Sequence, residues 1–374
     1  MSSLDDAGQG PVRTGSAGTG SGSTGAAGRL TPAAGPSAPV SPASPAAPAS
    51  AARSSTTRSS PARRPSASVS AGGPAPSGAP HRLTPQPDGA PHRSRPSDTS
   101  RRGWRDLDTR LLPVLGRLTE RDRLLCRLLD DHRVLTSSQV ADVCFTGERR
   151  ARMRLGELYA LDVLDRFRPR HGGSPVPFHW VLGPLGAALV AAEHGVEVAD
   201  VAWRRRLAGD LAASQRLAHL VGTNGFFCAL CRAARTRTGC QLEQWWSERR
   251  CAAEWGEVVR PDGYGVWTEH GTSLPFLVEY DNGTERLERL ARKLDGYARL
   301  AAAAGHPNWV LFSFPSPRRE AEARRVLLHP VVPVATCARG NRGAPDGPVW
   351  LPAGSTGTAR VRLADLAGLP IPRA

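Results

Sequence analysis

The chain has 374 residues, a formal net charge of +15 and 40% hydrophobic residues, with no run of eighteen apolar positions. This argues against a bilayer-spanning helical protein, and the positive balance favours an acidic polymer as partner, nucleic acid first. The N-terminus also lacks the charged-then-apolar pattern of a secretory signal, so the cytosol is the expected compartment.

Residues 1–103 are mainly Ala, Gly, Pro, Ser and Thr with scattered arginines, and the first aromatic residue is Trp104. Such a segment cannot bury enough apolar surface to offset the entropy of ordering it, so a disordered arm is expected. Its eleven arginines against Asp5, Asp6, Asp88 and Asp98 give it about +7 and leave about +8 on the remainder.

From residue 107 the pattern changes. Thr119-Glu-Arg-Asp122 places an N-cap before a carboxylate at the third position, and Leu124, Leu125, Leu128 and Leu129 form an apolar stripe. This predicts a helix ending near His132-Arg133. Thr136-Ser-Ser-Gln139 repeats the signature for a short helix to Phe145. A third helix is predicted to Tyr159, with Ala151, Leu155 and Leu158 on one face and Arg149, Arg150, Arg152 and Arg154 on the other. Two strands around a basic loop follow, at 163–170 and 178–182. Three short helices and a hairpin are the order of a winged helix-turn-helix, here expected over 107–200, with its third helix in the major groove of duplex DNA. Arg150 and Arg154, one turn apart, are then the base-edge candidates, and Arg166, Arg168 and Arg170 the backbone contacts. The alternative is an ordinary helical domain with a solvated arginine face.

The next unit, 208–340, reads as helix (208–237, broken near Gly222), strands (241–247, 256–267, 275–281), helix (285–303), strand (308–314), helix (317–328) and strand (331–337). Such interleaving predicts a mixed sheet with covered faces, and 341–374 is set apart as a C-terminal extension. The seven cysteines are an odd number on a chain without an export signal, which disfavours a disulfide framework. Cys228 and Cys231, with Cys240 and Cys251, could hold zinc, but their stretch reads as an amphipathic helix in which they are small core residues.

Glu248, Asp262 and Glu279 fall at strand ends or exits, and Asp281 shares a face with Glu279 by the two-residue repeat. Carboxylates converging from adjacent strands suit Mg²⁺ or Mn²⁺, hard ions that take oxygen ligands and keep several waters. The single lysine among 48 arginines, Lys293, lies beyond them with Tyr297 four residues on. A compact ammonium retained in so arginine-biased a chain is a candidate site group, able to stabilise phosphate charge. A chance survivor on a solvated face is the competing reading, as is a plain strand-to-helix turn at 281–285, where Asp281 or Thr284 caps the helix.

The ordered run of Leu118 to Asp122, Arg133 to Thr136, Gln139, Arg152 to Leu158, Asp165 to Phe167, His179 to Pro184, Arg260 to Gly263, Glu279 to Glu285, Lys293 and Tyr297 resembles the replication-relaxation family over about 115–315. The resemblance implies a protein of plasmids and other mobile elements in Gram-positive bacteria, acting in replication, maintenance or mobilisation and carrying a winged-helix part. A further reading is a transcriptional regulator or adaptor whose second domain docks a relaxase or replication initiator. The second half also resembles the restriction-endonuclease-like PD-(D/E)xK superfamily, which makes the expected fold α+β and multidomain: arm, winged helix, then a nuclease-like α/β domain. That likeness makes Asp262 and Glu279 its acids and candidate ligands for Mg²⁺ or Mn²⁺, and Tyr297 falls where some of its branches carry a tyrosine; Glu248 and Asp281 are accessory candidates by their strand positions. Its lysine, two residues after the second acid, is Asp281 here, so only Lys293 could replace it. From Thr284 as N-cap, nine residues of helix rise about 13 Å, so Lys293 must point back along the sheet to reach the acids.

Overall fold

The structure is a computed structural model and describes residues 107, 109–169, 176–327, 330–340, 343–355 and 357–371. The arm at 1–103, Arg170 and the turn at 171–175 lie outside the described residues. Of two contact-defined units, Met1–Arg58 and Ser59–Ala374, all described residues belong to the second.

Local signals set the first elements. Helix α1 (Glu120–His132) starts at Thr119, whose hydroxyl accepts the Asp122 amide while the Asp122 carboxylate accepts the Thr119 amide at 2.7 Å. The strand β1 (Leu135–Thr136) leads into α2 (Ser137–Cys144), where Thr136 and Gln139 form the same reciprocal cap. Helix α3 (Glu148–Ala160) and the strands β2 (Leu164–Phe167) and β3 (His179–Leu182) follow, and the sheet order is β1-β3-β2, all antiparallel. Helix α4 (Pro184–His194) is buried over Leu185 to Ala191 and locks onto this sheet. A Cβ at Gly186 would lie 2.2 Å from the Val163 carbonyl, so only glycine permits that approach.

The predicted break near Gly222 falls instead between α5 (Leu207–Ala212) and α6 (Leu217–Thr236). Gly222 sits inside α6 for a different reason: a Cβ there would strike the Tyr280 ring at 2.3 Å. The six-stranded sheet has the order β4-β5-β6-β7-β8-β9. Its first three strands, β4 (Cys240–Ser247), β5 (Gly263–Glu269) and β6 (Thr272–Tyr280), form an antiparallel meander. Then β7 (Trp309–Phe314) and β8 (Val334–Ala338) run parallel to β6, with α8 (Leu287–Ala304) and α9 (Pro317–Val326) as the crossovers. The strand expected over 256–267 begins only at Gly263, because the Ser247 hydroxyl accepts the Arg250 amide and starts a helix, α7 (Glu248–Trp255).

Strand alternation sends Phe276 and Val278 to one face, against Phe226, Phe227 and Leu230 of α6. Leu277, Val310, Phe312 and Phe314 face the other way, against Leu290, Leu294 and Leu300 of α8 and Ala323 of α9. The cysteines pack as core atoms rather than as a ligand set. Cys228 and Cys251 are fully buried, and burial pushes the Cys231 and Cys251 thiols up to about 12.

Helix α6 also holds the first sheet and its helices. Asn224 Nδ2 donates to the carbonyls of His132 at 3.1 Å and Val134 at 2.8 Å, and Gln139 Nε2 donates to the Val221 carbonyl at 2.7 Å. Arg235 caps the end of α2 through the carbonyls of Asp142 at 3.0 Å and Phe145 at 2.9 Å. His132 stacks on Trp245 at 3.8 Å, and burial lowers its pKa to about 3, so the ring is neutral there.

The segment set apart as an extension is part of the sheet's core. β9 (Leu351–Pro352) pairs with β8, and Trp350, Leu363 and Leu366 are fully buried against the α6 face. The segment carries no long periodic run, so its sequence shows little of this. Trp350→Ala is therefore expected to destabilise the protein by roughly 3–5 kcal/mol in equilibrium denaturation. A loss below about 1 kcal/mol would mean that the C-terminal segment is not built into the core.

Candidate nucleic-acid face and carboxylate pocket

Arg149, Arg150 and Arg152 stand exposed on α3. Arg150 donates to the Thr146 hydroxyl at 3.2 Å, and Arg152 lies 3.9 Å from Glu148 on the same helix. Arg154, expected beside Arg150 at base edges, is committed elsewhere. Its guanidinium reaches both Asp122 oxygens at 3.1 and 2.7 Å, the Arg117 carbonyl at 2.7 Å and Glu157 at 2.5 Å. The Asp122 side chain is 1% exposed, so this pair is a structural tie between α3 and α1. Burial alone would raise the Asp122 pKa, but its bonds from Arg154 and Thr119 outweigh that and lower it.

On β2, the Arg166 guanidinium sits 4.4 Å from the Tyr159 ring centre and 4.1 Å from that of Phe178, and Arg168 sits 3.8 Å over Phe178. Stacking holds a guanidinium by its face and leaves N–H edges for an acceptor. Both are thus pre-oriented, while Arg170 lies outside the described residues.

The second constellation forms where β5 and β6 meet α8. Glu279, 2% exposed, projects from the end of β6 toward α8. Lys293 Nζ donates to its Oε2 at 2.6 Å, and the Tyr297 hydroxyl, one turn further along the same helix face, donates to Oε1. The reach is possible because α8 begins at Leu287 with Arg286 as its cap, not at Thr284. Lys293 then lies only about 9 Å along the helix.

Asp262 directly precedes β5 and is tied at both oxygens. The Tyr280 amide donates to Oδ2 at 2.8 Å, and His219 Nε2 lies 3.0 Å from Oδ1. His219, on the first turn of α6, escapes the sequence reading: among the apolar residues Leu217 to Val221 nothing points to its distant partner. The bond to Asp262 raises its pKa against the opposing effect of burial.

The structure therefore brings Asp262, Glu279, Lys293 and Tyr297 together, and adds His219. Two accessory candidates are engaged elsewhere. Asp281 accepts from Arg319 Nε and from the Gly283 amide, each at 2.8 Å, tying the end of β6 to α9. Glu248 opens α7 rather than ending a strand, and takes both its oxygens to Arg216 at 2.6 and 2.8 Å.

Burial, and then the charge of Asp262, push the Glu279 carboxyl from its ordinary 4.5 up to about 7, although Lys293 and Tyr297 pull it down. Burial would lower the Lys293 pKa, but Glu279 beside it outweighs that, and the ammonium is held protonated. Among the described residues no group of three or more His, Cys, Asp and Glu side chains is placed to hold a metal ion. Asp262 and Glu279 fit only the arrangement in which one or two carboxylates bind Mg²⁺ and water or phosphate completes the shell. Each of their four oxygens already accepts a hydrogen bond or ion pair.

A carboxyl with a raised folded-state pKa favours the folded state below its unfolded value, and that contribution disappears as pH rises through the folded value. The Glu279 contribution should therefore be present below pH 4.5 and lost by about pH 7, on the order of 3 kcal/mol. Urea midpoints taken across this window are expected to fall with rising pH in the native chain and much less in Glu279→Gln. Equal pH slopes in the two proteins would refute the assignment.

No curated protein and no solved structure matches the chain. Among protein-family models, the one described as Replication-relaxation matches residues 126–309. That span runs from within α1 to the first residue of β7 and holds the exposed α3 arginines, Asp262, Glu279 and Lys293. Over these residues, close to half of its length, the chain is similar to the replication-relaxation family.

Proposed function

We propose that this chain is a DNA-binding protein of a plasmid or other mobile element, acting in its replication, maintenance or mobilisation. The observation that carries the reading is the joint cationic surface of α3 and β2, with Arg149, Arg150 and Arg152 exposed and Arg166 and Arg168 stacked on aromatic rings. The element order α1-β1-α2-α3-β2-β3 is compatible with a winged helix-turn-helix, a motif whose third helix enters the major groove. The match to the replication-relaxation family model supports the biological setting.

Fluorescence anisotropy with duplex DNA at several salt concentrations tests it. Arg149→Ala, Arg150→Ala and Arg152→Ala combined should weaken binding at least tenfold, and flatten the dependence of log K on log salt by about 0.9 for each phosphate contact removed. Arg154→Ala should chiefly lower the melting temperature. Absent binding, or affinity indifferent to salt, would overturn the reading.

A second reading, a Mg²⁺- or Mn²⁺-dependent endonuclease of the PD-(D/E)xK type, is favoured by one observation: Lys293 reaches the second acid, at 2.6 Å. The order of α6, a three-strand meander, α8 and a parallel strand, with acids at the start of β5 and the end of β6, also agrees with that likeness. A divalent ion held by Asp262 and Glu279 would supply an activated water and neutralise phosphate charge. The chain's own groups fix the acids: His219 and the Tyr280 amide hold Asp262, and Lys293 and Tyr297 hold Glu279. Incubating supercoiled plasmid with the protein and Mg²⁺ or Mn²⁺ should give nicked or linear product, abolished in Asp262→Ala and Glu279→Ala. Intact plasmid at every metal concentration would leave a nuclease-like fold used for binding or for docking a relaxase or replication initiator.

A further inference from the structure

We infer that α8 carries a second nucleic-acid contact, separate from α3, in which Arg286, Arg289 and Arg292 bind the phosphates of a strand and lead it to the Glu279–Lys293 pocket. This rests on the reading of the chain as a nucleic-acid-binding protein, but on different residues.

Arg289 and Arg292 lie one turn apart on α8 and Arg286 is its N-cap, and all three are exposed. Among the described residues, Arg286 and Arg292 make no hydrogen bond or ion pair with their side chains, while Arg289 pairs with Glu285 at 3.0 Å. The surface they line is open and shallow: one groove is bounded by Arg289, Arg292 and Lys293, and a second by Thr284, Glu285, Arg286, Glu288, Arg289 and Arg292. The grooves share Arg289 and Arg292 and so adjoin, and the first ends at the ammonium that contacts Glu279. The two grooves are lined by four cations and two carboxylates, Glu285 and Glu288, and Lys293 is also paired with Glu279. Glu285 is already divided between Arg289 and Lys293, the latter at 3.3 Å.

A groove lined by guanidinium groups with N–H donors to spare matches closely spaced phosphate oxygens. A polyanion here also removes a cost that the free protein bears, the mutual repulsion of like charges crowded on one helix face. Single-stranded and duplex DNA offer the same phosphodiester chemistry and are distinguished by the experiment.

The full-length chain is compared with the triple variant R286A/R289A/R292A and with a control that removes equal charge elsewhere on exposed positions, R205A/R318A/R325A. Binding of a short duplex and of a single strand is measured by anisotropy over a salt series. The α8 variant is expected to lose about 2 to 3 units of salt slope on at least one probe and to bind it at least tenfold more weakly, since each phosphate contact contributes about 0.9 on duplex and about 0.7 on a single strand. The probe showing the larger loss identifies the strand form. A loss no greater than that of the control triple on both probes would overturn the inference. The R149A/R150A/R152A variant serves as a separate arm: if it leaves binding unchanged while the α8 triple lowers it, the α3 reading fails and the α8 contact stands. Circular dichroism and a melting curve for each variant show whether a loss reflects unfolding, and if the triple unfolds, R292A alone, with an expected slope loss near 0.7 to 0.9, replaces it as the decisive variant.

Discussion

Helix α6 has to satisfy two sets of partners at once, and the remainder of the molecule is arranged around that requirement. Its twenty residues span about 30 Å. The apolar side, through Phe226, Phe227 and Leu230, covers one face of the large sheet. Its polar side chains Asn224 and Arg235 donate to backbone carbonyls of the helical head. A buried carbonyl without a donor costs on the order of 1–3 kcal/mol, so these bonds fix the head on the helix more firmly than apolar contact alone. The same helix delivers His219 to Asp262 and gives way to Tyr280 at Gly222. One rigid element thus joins the arginine-bearing head to the carboxylate pocket.

The pocket shows what happens when charge is buried with barely enough compensation. Glu279 has lost its water, and Asp262 is near enough to disfavour a second negative charge. Lys293 and Tyr297 offset part of this, and His219 does the same for Asp262. A core of apolar residues would be simpler and at least as stable, since buried ion pairs seldom outperform well-packed hydrophobic substitutes. Perturbed carboxylates cluster at functional sites for that reason.

Legibility in the sequence followed the range of the interactions. The capping boxes at Thr119 and Thr136 are local, and both helices start where the sequence places them. The alternation that puts Phe276 and Val278 opposite Leu277 is equally local, as is the meander it builds. The tie of Arg154 to Asp122 is not legible, because helical spacing reveals which face Arg154 shares but not that Asp122 waits across the helix pair. Likewise α7 hides behind Trp245-Trp246, which read as strand until Ser247 caps a helix, and β9 is too short to carry a period. The proximity of Asp262, Glu279 and Lys293 could be anticipated from motif order, yet His219 could not, since no local pattern links it to Asp262.

The scarcity of lysine has a practical side. Apart from the chain's α-amino group, Lys293 is the one primary amine in 374 residues. Its nitrogen is engaged with Glu279 and Glu285, its side chain is 27% exposed, and its proton is held tightly. Acylating reagents need the neutral amine, so in the folded protein this site reacts slowly, and faster once the pocket opens. The chain therefore contains its own single-position chemical reporter, and the extent of amine labelling at one residue reads out whether the carboxylate pocket is assembled.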